Sequence, residues 1–554
     1  MRAEQPERNP AGTGPGAKEV VVIGAGIGGL ATSALLAREG HRVTLLEKRD
    51  EVGGRAGSWE QDGFRFDTGP SWYLMPEVID HFFKLMGTSA AQQLDLRKLD
   101  PGYRVIFQEG LDTVDVPAER EAVTKLFESM EAGAGEQLSA YLDSAEDAYE
   151  MAKKRFLYST FESFAPFLRP DVLRQLPRIG SLLLQSLNSF VEKRFRDPRI
   201  RQILGYPAVF LGSSPFEAPS MYHLMSHLDL DDGVLYPMGG FTTLIEAMRR
   251  VAVEAGVEIR TGADVVSIDT SARTPGRSPL DRRSAVVRGV TYRAAGKQAF
   301  VPADLVVSAA DLHHTETALL PGELQTYPEK YWQKRVPGPS ALLLYLGVRG
   351  ELPQLEHHTL LFTSDWRENF GRIFGKETSV PSPASLYVCR PSATDDSVAP
   401  AGHENVFVLV PIPADVSIGR GGLEGGGDAR VEVLADEVIG QISAWAGIPD
   451  LADRIVVRRS YGPQDFADDL NAWRGTSLGP AHILRQSAFF RGSNRSARVE
   501  NLLYAGSSTI PGIGIPMCLI SAELVVKRLR GDVSTGPLPE PAPRRRAPQG
   551  ARGA

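Results

Sequence analysis

Residues Glu19 to Ser58 read EVVVIGAGIGGLATSALLAREGHRVTLLEKRDEVGGRAGS. Val20 to Ile23 form an unbroken apolar run, the mark of a strand buried on both faces. A glycine turn follows at Gly24, Ala25, Gly26, Ile27, Gly28 and Gly29, then an Ala- and Leu-rich helix that Gly40 stops. A second strand from Arg42 to Leu46 ends on Glu47 and Lys48. Gly24 permits the tight turn, Gly26 lets the backbone approach a pyrophosphate without a Cβ in the way, and Gly29 lets the helix pack closely on the strand. The helix N-terminus offers N–H groups and the positive end of its dipole to phosphates. Glu47 lies about 20 residues past the turn, where a carboxylate accepts hydrogen bonds from a ribose. A glycine row by itself can be a purely structural turn. Here it sits inside a complete βαβ unit with its acid in place, which predicts dinucleotide binding.

The chain has 554 residues, too many for one core, and implies two domains. With 42% apolar and 23% charged residues it is an ordinary globular composition. A formal charge of -7 argues against a nucleic-acid partner. Cys389 and Cys518 are far apart and lack a CxxC partner, which argues against a disulfide scaffold, a zinc site and a dithiol redox centre. No metal is expected, and a reducing cytoplasm fits. No stretch reaches the roughly 20 apolar residues of a membrane span. The residues before Lys18 do not make a secretory leader.

Both ends are Pro- and Gly-rich, so residues 1–17 and 533–554 are expected to be disordered. "TSARTPGRSPLDRR" from Thr270 and "GRGGLEGGGD" from Gly419 read as surface insertions. Nucleotide-domain signals recur in "MGGFTTLIEAMRRVAVEAGVEIRTGADVVSID" from Met238, with strands at Val257–Arg260 and Asp264–Ile268, and in the buried strand Leu305 to Ser308. A third set is "NLLYAGSSTIPGIGIPMCLISAELVVKRLRGD" from Asn501. The organisation expected is one discontinuous nucleotide-binding domain, 18–100, 231–310 and 481–532, interrupted by a second domain, 101–230 and 311–480.

Gly53, Gly54 and Arg55 follow the second strand, and then "GFRFDTGPSWYLMP" from Gly63. An Arg there is suited to bridging a pyrophosphate, and Asp67-Thr68-Gly69-Pro70 is a tight turn near where an isoalloxazine would lie. A surface hairpin is the plainer alternative. The C-terminal motif supplies a second half-site: the strand Leu502 to Ala505, a turn at Gly506, and Gly512, Gly514 and Pro516 ahead of a helix. Such a helix start suits the pyrimidine end of a reduced flavin, whose negative charge the dipole favours. An ordinary strand–turn–helix is the alternative, but it does not require three glycines.

These paired motifs resemble the FAD-dependent carotenoid desaturase family, of the bacterial phytoene desaturase type, within the amine-oxidase-like flavoproteins. The resemblance runs from about Lys18 to Asp532 and rests on "EKRDEVGGRAGS", "FDTGPSWYLMP", "LYPMGGFTTLIEAM", "VVSAADLHHTE", "HHTLLFTSDW" and "YAGSSTIPGIGIPM". It implies an α/β fold in which a Rossmann-type FAD-binding domain, glutathione-reductase-like, interleaves with an α+β domain that takes the substrate and faces the membrane. By the same resemblance, Gly24, Ala25, Gly26, Gly28, Gly29, Glu47 and Lys48 hold the ADP half of FAD. Gly54, Arg55, Gly69, Pro70 and Ser71 line the pyrophosphate-to-flavin stretch, Val266 touches the adenine, and Gly506, Gly514, Ile515, Pro516 and Met517 lie by the ring. Two positions depart from the pattern. Ser507 stands where amine oxidases carry an acid, which favours the desaturase branch. Ile510 stands where phytoene-type desaturases often have His.

The chemistry implied is removal of hydrogen from adjacent carbons of an acyclic carotenoid such as phytoene, with flavin as hydride acceptor. No catalytic acid or base is assigned: Asp67, Asp231 and Asp232 read better as turn or capping residues. No second dinucleotide motif is present, so oxygen or a membrane quinone is the expected electron acceptor. A carotenoid lives in the bilayer, so a cytoplasmic protein peripherally bound to the lipid surface is expected. The window Lys153 to Arg201 is the candidate contact, with eleven basic residues, four acids and an interleaved set that includes Phe156, Phe161, Phe164, Phe167, Leu182, Leu183, Leu184 and Phe190. A helical bundle with a solvated basic face would look the same. Alternatives on this fold are a carotenoid oxidase, isomerase or saturase, and a non-catalytic prenyl-lipid carrier. Amine oxidation is disfavoured by Ser507.

Overall fold

The structure, a computed structural model, describes residues 16–108, 110, 112–162, 170–273 and 282–541. The opening apolar run becomes the central strand, Glu19–Ile23, of a five-stranded parallel sheet. Arg42–Leu46 and Glu258–Arg260 extend it on one side, Leu305–Ser308 and Leu502–Tyr504 on the other. Counted along the chain, the spatial order is 3-2-1-4-5. In sheets of this kind ligands bind beyond the carboxyl ends of the strands, where the order reverses; here that is beyond Ile23. Helices Ile27–Arg38, Phe241–Glu254 and Ile515–Arg530 share one apolar core with the sheet. Antiparallel strands Asp264–Ala272, Ala285–Ala294 and Lys297–Pro302 belong to a second core on its other side.

A seven-stranded sheet forms the other body. Its order is Ile455–Tyr461, Ser340–Arg349, His403–Ile412, Leu386–Cys389, His358–Phe362, Tyr103–Phe107 and Thr113–Val116. Every pairing in it is antiparallel except that of His358–Phe362 with Tyr103–Phe107. Side chains alternate across a strand. Leu342, Leu344 and Leu346 therefore enter a core under helix Ala429–Ala446, while Ala341, Leu343 and Tyr345 enter a core shared with the helices between 120 and 230. Being covered on both faces, this sheet reads as a nearly continuous apolar run.

Two expectations change in the fold. The tail expected to be disordered from Val533 packs through its first part: Leu538 is buried, and Lys527 Nζ donates to the carbonyls of Ser534 (2.6 Å) and Gly536 (2.8 Å). Residues 542–554, 1–15 and 274–281 lie outside the described residues, as do Phe164, Phe167 and Arg169 of the basic window. The insertion at Gly419 lies at the surface as expected, with Arg420, Leu423 and Glu424 exposed, and is tied to the body by Gly422 N–H donating to Ser460 Oγ at 2.8 Å. Part of the basic window's charge is paired, mostly with acids outside it. Lys153 and Lys154 pair with Glu150, Arg178 with Asp147, and Arg199 with Asp112 as well as Asp197. Leu182 and Phe190 are buried, so part of its apolar set faces the core and not the surface.

Candidate functional site

One cavity of about 1210 Å³ lies between the two sheets and reaches from the opening glycine turn to the aromatic wall of the second body. Four glycine-bearing segments meet at its nucleotide end. Gly26 and Gly53 form a β-bridge, with Gly53 N–H donating to Ala25 O at 2.8 Å. A Cβ on Gly28 would stand 3.1 Å from Gly506 Cα, and one on Gly69 only 2.1 Å from Arg55 O. These glycines let backbone touch backbone, so the opening turn, the Gly-Gly-Arg turn, the Gly-Pro turn and the C-terminal motif form one continuous floor.

Most of the residues expected to bind the nucleotide line this cavity. Gly24, Gly26 and Gly28 do so from the opening turn, with Glu47 and Lys48 from the second strand's tip. Gly54, Arg55, Gly69, Pro70 and Ser71 line the middle, and Gly506, Gly514, Ile515, Pro516 and Met517 the far end. Ala25 and Gly29 lie behind the wall. Ala25 N–H donates to Glu47 Oε2 at 2.7 Å and orients that carboxylate, while a Cβ on Gly29 would collide with Gly24 O at 1.8 Å. Val266 is a correction: Ala263, Asp264 and Val265 line the cavity, and the register shift between Val265 and Ser267 puts Val266 away from it.

The site fits a dinucleotide on its own chemistry. Arg55 faces the cavity, yet its Nε and Nη2 are buried without a hydrogen-bond partner. A buried guanidinium left in that state calls for an anion, and a pyrophosphate supplies one. Two helix N-termini open nearby, Ile27–Arg38 and Ile515–Arg530, neither with a side-chain cap.

Asp67 is an N-terminal cap, as its sequence position suggested. Its carboxylate accepts the N–H groups of Phe241 (2.7 Å) and Thr242 (3.0 Å), the first residues of helix Phe241–Glu254. Asp231 pairs with Arg120 and His227, and neither Asp231 nor Asp232 lines the cavity.

Trp72 and His358 lie in segments the sequence singled out but had no role assigned there. Trp72 stacks on His358 at 4.6 Å, and the hydroxyls of Ser71 and Tyr387 and then His358 Nδ1 are linked by contacts of 2.7 Å each. Burial holds the His358 imidazole well below its usual range, so it is neutral. His482 comes from a segment without a recognisable pattern. It accepts the Ile513 N–H at 3.3 Å and packs where a Cβ on Gly512 would lie 2.3 Å from its ring. A buried histidine thus stands beside the closing motif even though Ile510 occupies the motif's usual His position. Arg491, whose guanidinium burial pulls down to about 10, ties that motif together through the carbonyls of Thr509, Ser507 and Pro480. Such partners are set by tertiary approach and leave no local sequence signal.

The family of flavin containing amine oxidoreductases matches residues 27–530. A carotenoid 3,4-desaturase of Haloarcula japonica is 41% identical over 517 residues, covering 93% of this chain and 99% of that protein. A zeta-carotene-forming phytoene desaturase of Myxococcus xanthus is 35% identical, covering 92% of this chain and 94% of its own. Among solved structures, an oxidoreductase from Methanosarcina mazei superposes with a TM-score of 0.58 at 16% identity, over 92% of this chain and all of that one, a likeness of fold.

Proposed function

The chain belongs to the flavin-containing amine oxidoreductases, in their carotenoid desaturase branch, and from that premise we propose that it introduces double bonds into an acyclic carotenoid, phytoene or a close relative. It is an FAD-dependent oxidoreductase of carotenoid biosynthesis. The observation that carries the choice of substrate is this cavity, whose nucleotide floor runs directly into a wall of Trp72, Tyr206, Phe210, Leu360, Phe362 and Trp366. A polyene has only dispersion and burial to bind with, and this wall offers both.

Bound FAD supplies the two-electron acceptor that takes a hydride from the substrate. Arg55 would hold the pyrophosphate and Glu47 the ribose, and the N-terminus of helix Ile515–Arg530 would favour the negative charge of the reduced ring. The aromatic wall places one C–C bond of the polyene against the ring and keeps water from the electron-poor carbon that develops. Oxygen or a membrane quinone would be the final electron acceptor in this reading. In a host that makes only phytoene, expression should yield a more unsaturated, coloured polyene; colourless phytoene recovered unchanged from cells containing the flavin-loaded chain would sink the proposal. The likeness to the 3,4-desaturase favours a second reading, in which the substrate is already conjugated and the new bond forms at the 3,4 position. A parallel host that makes a conjugated acyclic carotenoid separates the two.

The substrate must come from a lipid phase, and a surface patch supports docking there. Phe489 and Phe490 are 53% and 49% exposed beside Phe161, with Arg485 exposed nearby. No helix among the described residues is long and apolar enough to cross a membrane, so contact is peripheral in this reading. The wild-type chain should co-sediment with anionic liposomes, and a Phe489→Ser, Phe490→Ser pair should lose most of that binding. Equal sedimentation of both proteins would remove this patch from the proposal.

A further inference from the structure

Desaturation removes a hydride from one carbon and a proton from its neighbour, and nothing above accepts the proton. Among the described residues that line the cavity in its aromatic half, carboxylates are scarce, but one stands directly behind the wall. Tyr206 lines the cavity and its hydroxyl donates to Asp229 Oδ2 at 2.7 Å. Asp229 is buried, has no ion pair with a described residue, and its Oδ1 lacks any hydrogen-bond partner. The Tyr103 hydroxyl belongs to the same cluster and interacts with both Asp229 and Tyr206, its ring 5.5 Å from that of Tyr206. Trp72, next to the Gly-Pro-Ser turn of the nucleotide floor, lies 6.0 Å from Tyr206, ring to ring, so the pair sits one aromatic ring from the cofactor end. A desolvated carboxyl with a spare oxygen, joined by one hydroxyl to a cavity that must receive a C–H proton, is an expensive arrangement to keep for packing alone.

We propose that Tyr206 and Asp229 form the proton-accepting relay of the reaction. The inference rests on the desaturase reading and adds its missing base. As the hydride leaves one carbon, the neighbouring C–H bond gives its electron pair to the new double bond. Its proton passes to the Tyr206 oxygen, and the Tyr206 hydroxyl proton passes to Asp229 Oδ2. The polyene loses two electrons and two hydrogens, the flavin gains a hydride, and the carboxylate ends as a carboxylic acid. The proton returns through Tyr206 once product has left.

The surroundings suit this. Burial raises the Asp229 carboxyl to about 7, partly offset by the hydrogen bond from Tyr206, so it accepts a proton and releases it between turnovers. The titratable groups facing it are Tyr206, Tyr103 and, from helix Ala134–Ala152, Tyr141; burial holds all three phenols well above their usual range. His223, against the Tyr141 ring, is pushed down to about 4 by burial and is neutral. Arg120 and His227 answer Asp231 instead. The relay therefore works in the ionised form of Asp229, which is present above about 7.

The test uses the FAD-loaded chain with its polyene in liposomes. Wild-type product formation should rise with pH through about 7 and level off. Asp229→Asn and Tyr206→Phe should each bind FAD normally and lower the rate by on the order of 10²-fold. Asp229→Asn should flatten the pH profile, and Asp229→Glu should restore part of the rate. Independently of turnover, the infrared band of a protonated carboxyl should titrate near 7 in the wild type and vanish in Asp229→Asn. Wild-type rates in both variants would overturn the relay while leaving the desaturase reading intact. Slow variants that keep the wild-type pH profile and infrared band would also overturn it, since that is what a structural role predicts. A wild-type chain that converts no polyene would overturn the reading and the relay together.

Discussion

At the scale of single residues, the glycines carry more than the nucleotide. Gly24 has a φ of +90°, a left-handed conformation that favours glycine, and Gly28 and Gly29 are fixed by approach of other backbone. Gly29→Ala would set a methyl against Gly24 O, an overlap no side-chain rotation relieves. Overpacking of this kind costs typically about 1–3 kcal/mol, and here it also shifts the phosphate-binding turn. The expected result is a lower unfolding midpoint together with loss of the yellow flavin absorbance after purification. Wild-type flavin content in Gly29→Ala would show that the turn tolerates the methyl. The spacing of these glycines was legible in the sequence. That Gly28 answers to Gly506 was not, because the two meet only after the chain has closed.

At the scale of elements, the closing helix Ile515–Arg530 joins the most distant parts. Its first turn faces the cavity and its last turn holds the tail. Lys527 is fully buried and satisfied by three carbonyls, those of Tyr158, Ser534 and Gly536. A chain ending at Asp532 keeps only the first. Each hydrogen bond to a charged group contributes about 1.5–3 kcal/mol, so this truncation should lower unfolding stability by about 3 kcal/mol or more, measured in denaturant. An unchanged midpoint would mean that residues 533–541 merely rest on the surface. Composition misjudged this segment, since proline-rich stretches look unable to fold. The deciding feature is a buried ammonium that needs acceptors. In the same way, part of the basic window's charge is paired with Glu150, Asp147 and Asp112, acids that lie outside it in sequence and beside it in space.

At the scale of the whole molecule, the nucleotide floor is assembled from segments near residues 25, 54, 70 and 506, and FAD would touch all of them in the proposed site. A ligand bound to the native state alone stabilises it by about 2.7 kcal/mol at a hundredfold excess over its Kd. Adding FAD to flavin-depleted protein should therefore raise the unfolding midpoint, and Arg55→Met should blunt that rise by removing the unpaired guanidinium. Equal FAD-induced shifts in both proteins would place the pyrophosphate elsewhere.

The sequence alone determined the cofactor and the fold class. Dinucleotide turns obey local rules: a strand, glycines at fixed spacing, a helix start and an acid are written within forty consecutive residues, and the C-terminal motif within about thirty. Only the tertiary structure decided what surrounds the substrate. Tyr206, Asp229 and His482 come from segments with no pattern of their own, and each gains its chemistry from burial and from partners brought near by the fold. A pKa, an unpaired oxygen or a neutralised charge is a property of three-dimensional surroundings, and those exist only once both sheets have closed on the cavity.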